Sequence, residues 1–316
     1  MKISIIGGGS WGSALAVHLA KNSHLVKVWE FFKEQADEMQ EQRFCRLLPG
    51  VKLSENIFVS SEIEKAIVDT ELVLLVVPSD KVESTLDKIS PLLQYQPIVV
   101  CSKGLASELR LLSDVVETKV KGNVYCLYGP THAEEVCKGL FSGIVLAGKK
   151  GLERKKIKKA LESSQLRVDL SDDRIGLQVC AALKNILAVF VGVLDGMQLG
   201  DNAKAYIMTK GLAEITLVGK KWGAKDKTFH GLAGMGDLIV TCSSQHSRNR
   251  FVGEQVGKGR KLDDVLAEMK MVAEGVTTVK EAIKLQEKFD LKLPLINGLY
   301  SILFAGKDPK EVLNEI

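Results

Sequence analysis

Lys184 stands in the run Val179-Cys180-Ala181-Ala182-Leu183-Lys184-Asn185-Ile186-Leu187-Ala188, where a lysine and an asparagine interrupt an otherwise apolar stretch. Burying an ammonium is costly unless it is paired, and desolvation moves its proton affinity toward the range useful in proton transfer. The run points to an acid–base lysine, against the plainer reading of a side chain reaching along a helix to water. Gly231-Leu232-Ala233-Gly234-Met235-Gly236-Asp237-Leu238 sets one carboxylate among glycines and apolar residues. Asp237 needs a partner there, and orienting Lys184 would supply one. Ser247-Arg248-Asn249-Arg250 puts a hydroxyl, a guanidinium fork and an amide at a predicted helix start, a ready anion site. The alternative is a serine N-cap followed by exposed arginines. Val272-Ala273-Glu274-Gly275 adds a carboxylate just ahead of another predicted helix, where complementarity to the helix dipole would also explain it.

At the amino end, a first apolar run is followed by Gly7-Gly8-Gly9-Ser10-Trp11-Gly12 and then a helical pattern. In the G-x-G-x-x-G arrangement Gly7 turns the chain, Gly9 lets the backbone approach a pyrophosphate, Gly12 lets helix and strand pack, and the helix amides meet the charge. The next strand ends at Glu30, eighteen residues beyond Gly12. An acidic side chain there takes the adenosine ribose 2′-hydroxyl and repels a 2′-phosphate, which favours NAD. Phe31 and Phe32 read equally as flanks for an adenine or as core filling, and Lys33 could answer the extra phosphate of NADP. Three further strand ends carry turns that suit a ligand crevice: Val77-Pro78-Ser79, Cys101-Ser102-Lys103-Gly104 and Tyr128-Gly129-Pro130-Thr131. Lys103 is the informative one, because a cation at a strand end can face a phosphate or carbonyl oxygen.

These groups need a scaffold. Short β-branched runs alternate with helical patterns, and the spacing predicts strands at 2–6, 25–29, 57–59, 72–77, 98–101, 124–127, 144–147 and 167–170. Most are continuous apolar runs, as in a parallel sheet covered on both faces and wound by crossover helices. Beyond Leu170 the texture turns to apolar residues at i, i+3 and i+4, predicting helices at 174–194, 203–222, 248–258, 262–269, 277–289, 294–303 and 310–314. The expected division is a dinucleotide-binding α/β domain over residues 1–174 and an all-α substrate-binding and catalytic domain over 175–316. The run Lys149–Lys159 holds seven basic residues with a thin apolar stripe, and is read as a solvated helix face.

Composition narrows the classes. The 316 residues suit about two domains, 46% are hydrophobic, and 43 basic against 39 acidic residues leave a net charge of only +4. Neither a nucleic-acid partner nor a membrane span is expected; the longest uninterrupted apolar stretch is Ile186–Leu194. The amino terminus lacks the h-region of a signal peptide, so a cytoplasmic location is expected. The six cysteines and five histidines never fall at metal-ligand spacing, so the cysteines are read as reduced and mostly buried and no metal is expected.

With Lys184 in A-x-K-N, the segments GPTHAEEV, GLAGMGDLIVTC and SRNR make the chain resemble the NAD(P)-dependent glycerol-3-phosphate dehydrogenases of bacterial type, from Lys2 to about Leu313. The resemblance implies a Rossmann-like, doubly wound, mostly parallel sheet followed by a helical domain. It also implies NAD or NADP as cofactor, interconversion of dihydroxyacetone phosphate and sn-glycerol 3-phosphate, and supply of the latter for phospholipid synthesis. By position, Ser10 and Trp11 resemble cofactor contacts of the glycine loop, and Phe31 falls on the adenine side. Lys103 approaches cofactor and substrate, Gly129 and Thr131 lie beside the substrate, and Ala133 lies on the cofactor side. Lys184 matches the catalytic lysine and Asp237 its acidic companion, both also meeting substrate. Ser247, Arg248 and Asn249 match the triplet at the substrate phosphate, with Arg248 also near the cofactor, while Val272 and Glu274 match a late cofactor contact. Glu30-Phe31-Phe32 departs from the family's pattern and leaves the choice between NAD and NADP open. The rivals are a two-domain β-hydroxyacid or sugar-acid dehydrogenase and a cofactor-binding scaffold without turnover. A homodimer is the expected assembly if the chain self-associates.

Overall fold

Strand β1 (Lys2–Ile6) is an interior strand of one eight-stranded sheet, paired in parallel with β2 (Leu25–Trp29) on one side and β4 (Leu72–Leu75) on the other. The computed structural model describes residues 1–269 and 273–316. The sheet order is β3-β2-β1-β4-β5-β6-β7-β8, with β3 at Ile57–Ser60, β5 at Ile98–Val100, β6 at Val124–Tyr128, β7 at Ser142–Ala147 and β8 at Leu166–Ser171. Every neighbouring pair is parallel except β6 and β7. The Rossmann-like doubly wound fold expected from the sequence therefore forms, and all eight predicted strands are present. Because the chain leaves β1 in both directions across the sheet, a crevice opens beyond the carboxyl ends of β1 and β4, the place where open α/β sheets bind ligands. Strands β4, β5 and β6 are buried throughout, matching their unbroken apolar sequences. Edge strand β8 alternates instead, burying Leu166 and Val168 while Arg167, Asp169 and Leu170 face out.

The chain divides into two compact units, Met1–Arg174 and Ile175–Ile316. In the first, the basic run forms a helix at Leu152–Leu161 that buries Arg154, Ile157, Ala160 and Leu161 and exposes Lys155, Lys156 and Lys159, a solvated face as read. All six cysteines are free and buried.

The second unit is helical, built on Arg174–Gly196, whose residues are buried without a break from Gly176 to Leu194. This helix is long and apolar enough to cross a membrane, but its apolar window is wholly buried inside the protein. It is a core helix, and no other helix among the described residues meets that test. Two glycine pairs bring Arg248–Gly257 into backbone contact with it. A Cβ on Gly253 would stand 1.9 Å from the Val189 carbonyl oxygen, and one on Gly192 would stand 2.0 Å from that of Arg250. Any side chain at those positions would push the two helices apart, so glycine fixes where Ser247-Arg248-Asn249 begins.

One buried group in this scaffold titrates near neutrality. Glu214, on the helix Gly200–Lys221, is buried and accepts hydrogen bonds from the Leu295 and Ile296 amides at 2.7 and 3.3 Å, capping the first turn of Pro294–Phe304. Burial pushes its carboxyl up from 4.5 to about 7, with the two amide bonds pulling the other way. A raised acid favours the protonated fold, so this contribution is full below pH 4.5 and is lost as pH rises through 7, at a cost on the order of 3 kcal/mol. The melting temperature should therefore fall between pH 5 and pH 8 by more than in Glu214→Gln, whose single amide oxygen keeps the shorter bond, to Leu295, without ionising. Parallel curves for the two proteins would show that Glu214 does not titrate in this range.

Candidate active site

In the first unit the glycine loop has the form its spacing demands. Gly7 has φ +119° and donates its N–H to the Trp29 carbonyl at 3.0 Å, turning the chain off β1. A Cβ on Gly12 would lie 1.9 Å from the Gly7 carbonyl oxygen, whereas one on Gly9 would meet nothing within 4 Å. Gly12 thus allows the helix Ser10–Lys21 to pack on the loop, and Gly9 leaves room for a ligand. No side chain caps that helix start, so the first amides remain for an anion. The Trp11 indole N–H is buried with no hydrogen-bond partner. Open space over Gly9, an uncapped helix start and an orphaned donor fit a dinucleotide.

Glu30 sits underneath. It is only 7% exposed, and its carboxylate accepts from the Phe32 amide at 3.1 Å and from those of Gly8 and Phe31. Burial raises its pKa and these amide bonds oppose the rise. Sequence reasoning assigned this carboxylate to a ribose hydroxyl; in the structure it ties the glycine loop to the turn after β2. Phe31 and Phe32 are each more than half exposed, their rings 5.1 Å apart and perpendicular, which removes core filling as their explanation. Lys33 pairs with Asp37 at 2.6 Å.

The turns after β4, β5 and β6 lie along the same edge of the sheet as the glycine loop, since these strands run parallel to β1. Lys103 is carried on a pinned turn. The Ser102 hydroxyl donates to the Val77 carbonyl, the Tyr128 hydroxyl donates to the Ser102 carbonyl at 2.8 Å, and Gly104 at φ +132° leaves no space for a Cβ beside Ser79. Gly129 is pressed against the backbone of Gly143 and Ile144. Thr131 donates to the Gly129 carbonyl at 3.2 Å, and Ala133 opens the short helix Ala133–Lys138.

In the second unit Lys184 and Asp237 meet. The ammonium donates to Asp237 Oδ1 at 2.8 Å, and both side chains are almost fully buried. Removing either partner from such a pair would leave an uncompensated buried charge. The lysine also donates to Thr241 Oγ1 at 2.5 Å, whose own proton goes to the Asp237 carbonyl at 2.6 Å. Asp237 and Thr241 share a face because Asp237–Ser243 is helical, one turn separating them. Sequence reasoning predicted no helix here, noting only a carboxylate among glycines and apolar residues, and so missed Thr241; the spacing D-x-x-x-T was the available signal. The glycines instead form a π-helical turn, Leu232–Gly236, in which a Cβ on Gly234 would stand 2.2 Å from the Phe229 carbonyl. Such turns are frequent at functional sites. Next to Thr241, burial pushes the Cys242 thiol up to about 12, which keeps it protonated at neutral pH and out of acid–base work.

Ser247 is the N-cap of Arg248–Gly257, accepting from the Arg250 amide at 3.3 Å. The two arginines part company. Arg250 donates to Asp195 at 2.6 Å, while Arg248 is exposed and has no ion-pair partner among the described residues. Glu274, expected just before a helix, is instead its first residue, in Glu274–Phe289. Its carboxylate accepts from the Asn185 amide at 3.4 Å, and Asn249 Oδ1 accepts the Gly275 N–H at 2.8 Å. Val272 lies outside the described residues. No cluster of His, Cys, Asp and Glu suited to a metal occurs among the described residues.

A doubly wound fold with a dinucleotide-type glycine loop, followed by a helical unit, is a two-domain nucleotide-binding architecture, and the relatives of this chain make it an NAD(P)-dependent dehydrogenase. Residues 2–153 match the family described as NAD-dependent glycerol-3-phosphate dehydrogenase N-terminus, and residues 173–314 match its C-terminus. The chain belongs to this NAD-dependent glycerol-3-phosphate dehydrogenase family. It is 41% identical over 323 residues to a glycerol-3-phosphate dehydrogenase [NAD(P)+] of Bacillus cereus (strain G9842), covering all of this chain and 95% of that one. The glycerol-3-phosphate dehydrogenase crystal structure from Coxiella burnetii superimposes with a TM-score of 0.96 at 33% identity, covering 99% and 98% of the two chains. A ketopantoate reductase from Ralstonia eutropha JMP134 shares the fold alone, with a TM-score of 0.63 at 16% identity over 100% and 99% of the chains.

Proposed function

We propose that this chain reduces dihydroxyacetone phosphate reversibly to sn-glycerol 3-phosphate with Lys184 as the general acid and base. In this reading residues 1–174 supply the glycine loop and most of the dinucleotide contacts, and residues 175–316 supply the catalytic pair and the phosphate anchor. The observation that carries it is the buried Lys184–Asp237 pair with Thr241 as second acceptor. Bound NADH or NADPH supplies the hydride that becomes the new C–H bond at C2. Lys184 gives its proton to the carbonyl oxygen as that bond forms, so ketone, hydride and proton together make the alcohol. Asp237 keeps the ammonium charged and aimed, and after turnover the neutral amine is recharged from water. In the oxidative direction the neutral lysine takes the hydroxyl proton. Lys103 and the Gly129–Thr131 turn complete the substrate's surroundings, while Gly9, Ser10, Trp11, Phe31, Ala133, Arg248, Val272 and Glu274 serve the cofactor. Ser247, Arg248 and Asn249 anchor the phosphate, whose binding energy fixes C2 for the transfer.

The product supplies phospholipid synthesis, the role of this family, and we place the work in the cytoplasm. Initial rates with dihydroxyacetone phosphate, measured with NADH and NADPH side by side, test the reading. Oxidation of reduced cofactor that depends on this substrate is the expected result. A protein that binds cofactor yet is silent with dihydroxyacetone phosphate, or that prefers a β-keto acid, would overturn it.

A further inference from the structure

Asn249 belongs to the triplet assigned to the substrate phosphate, but its carboxamide oxygen is taken by the protein backbone. It accepts the Gly275 N–H at 2.8 Å across 26 residues of sequence. Gly275 is itself pressed into the core helix: a Cβ there would stand 2.4 Å from the Asn185 carbonyl oxygen and 2.9 Å from Val189 Cγ2. The neighbouring Glu274 takes the Asn185 amide at 3.4 Å. Three segments that lie far apart in sequence are thus joined within the second unit by two asparagines and one close backbone approach. They are the Lys184-Asn185 stretch, the Ser247-Arg248-Asn249 start and the Glu274-Gly275 start.

We propose that Asn249 is a positioning residue for the cofactor contact at Glu274, holding the first turn of Glu274–Phe289 in register with the helix that carries Arg248. This rests on the reading of Glu274 as a cofactor contact. A backbone N–H can pair only with the oxygen of the carboxamide, so the bond to Gly275 fixes the amide's orientation and leaves its NH2 side for the phosphate. One side chain then couples the two ligands. Phosphate that draws on the NH2 side steadies the same carboxamide whose oxygen holds Gly275, so substrate and cofactor bind with positive cooperativity.

The test is the dissociation constant of NADH, read by fluorescence in the absence of substrate, for Asn249→Ala, Asn249→Asp and Glu274→Ala, with the melting temperature of each as a folding control. Asn249→Ala loses the acceptor and should weaken NADH about five- to tenfold, the scale of one hydrogen bond. Asn249→Asp keeps an acceptor for Gly275 and should restore NADH binding to within about twofold, while its added charge raises KM for dihydroxyacetone phosphate steeply. A residue that only touched phosphate would leave NADH binding unchanged in both. Unchanged binding in Asn249→Ala with weakened binding in Glu274→Ala overturns the positioning role. Unchanged binding in Glu274→Ala overturns the underlying cofactor contact. A loss in Asn249→Ala that aspartate does not restore also overturns the proposal.

Discussion

Replacing Lys184 by alanine is expected to cut turnover with dihydroxyacetone phosphate by about two to four orders of magnitude while NADH still binds, the usual scale of a lost acid–base group. The expectation follows from where the proton must go. Hydride addition at C2 leaves an alkoxide, and Lys184 is the buried cation whose geometry is held by two acceptors, Asp237 and Thr241. Substitution also strands Asp237, which is almost fully buried; it would have to take up a proton or admit water, and melting temperature should drop. Asp237→Asn separates the two consequences. The amide oxygen can still accept from Lys184, and the lysine can shed the stranded charge by giving up its proton, so the variant folds with a lowered melting temperature, and with the charge that favours the ammonium gone the pH at which turnover is half-maximal should move down. Steady-state rates against pH for the three proteins check this. Near-normal turnover in a folded Lys184→Ala protein would remove the lysine from the chemistry.

How much of this was legible in the sequence depends on the range of the forces involved. The strands were readable because a covered parallel strand needs a continuous apolar run, and the glycine loop because Gly7 and Gly12 each answer a local steric demand. The helix Asp237–Ser243 was not readable, because Gly231, Gly234 and Gly236 signal a turn, and only the packing of Gly234 on Phe229 turns them into a π-helical lead-in. Lys184 could be singled out by its apolar surroundings, whereas Thr241 could not until that helix existed. Glu30 was recognisable as the acid after β2, but its amide partners Gly8, Phe31 and Phe32 are matters of three-dimensional approach. The same holds for Arg248 and Arg250, two residues apart and alike in sequence, which differ because Asp195 lies 55 positions away from Arg250 and claims it.

That difference makes the second large effect specific. Arg248→Ala should raise KM for dihydroxyacetone phosphate by about ten- to a hundredfold, the worth of hydrogen bonds to a charged group, while the slow reduction of unphosphorylated dihydroxyacetone, measured at saturating cofactor, suffers far less. Lysine at this position should recover only part of the loss, because an ammonium cannot offer the planar fork that meets two phosphate oxygens. Arg250→Ala should behave in the opposite way. Its guanidinium is engaged with Asp195, which also holds Lys204 at 2.9 Å, so its removal disturbs a partly buried cluster and lowers the melting temperature with a smaller change in KM. The comparison works because both arginines stand in the first turn of one helix and share its positive dipole end, leaving the presence or absence of a carboxylate partner as the main distinction between them. Equal losses for phosphorylated and unphosphorylated substrate in Arg248→Ala would mean that its guanidinium does not grip phosphate, and the anion would then have to be held by Ser247, Asn249 and the helix amides.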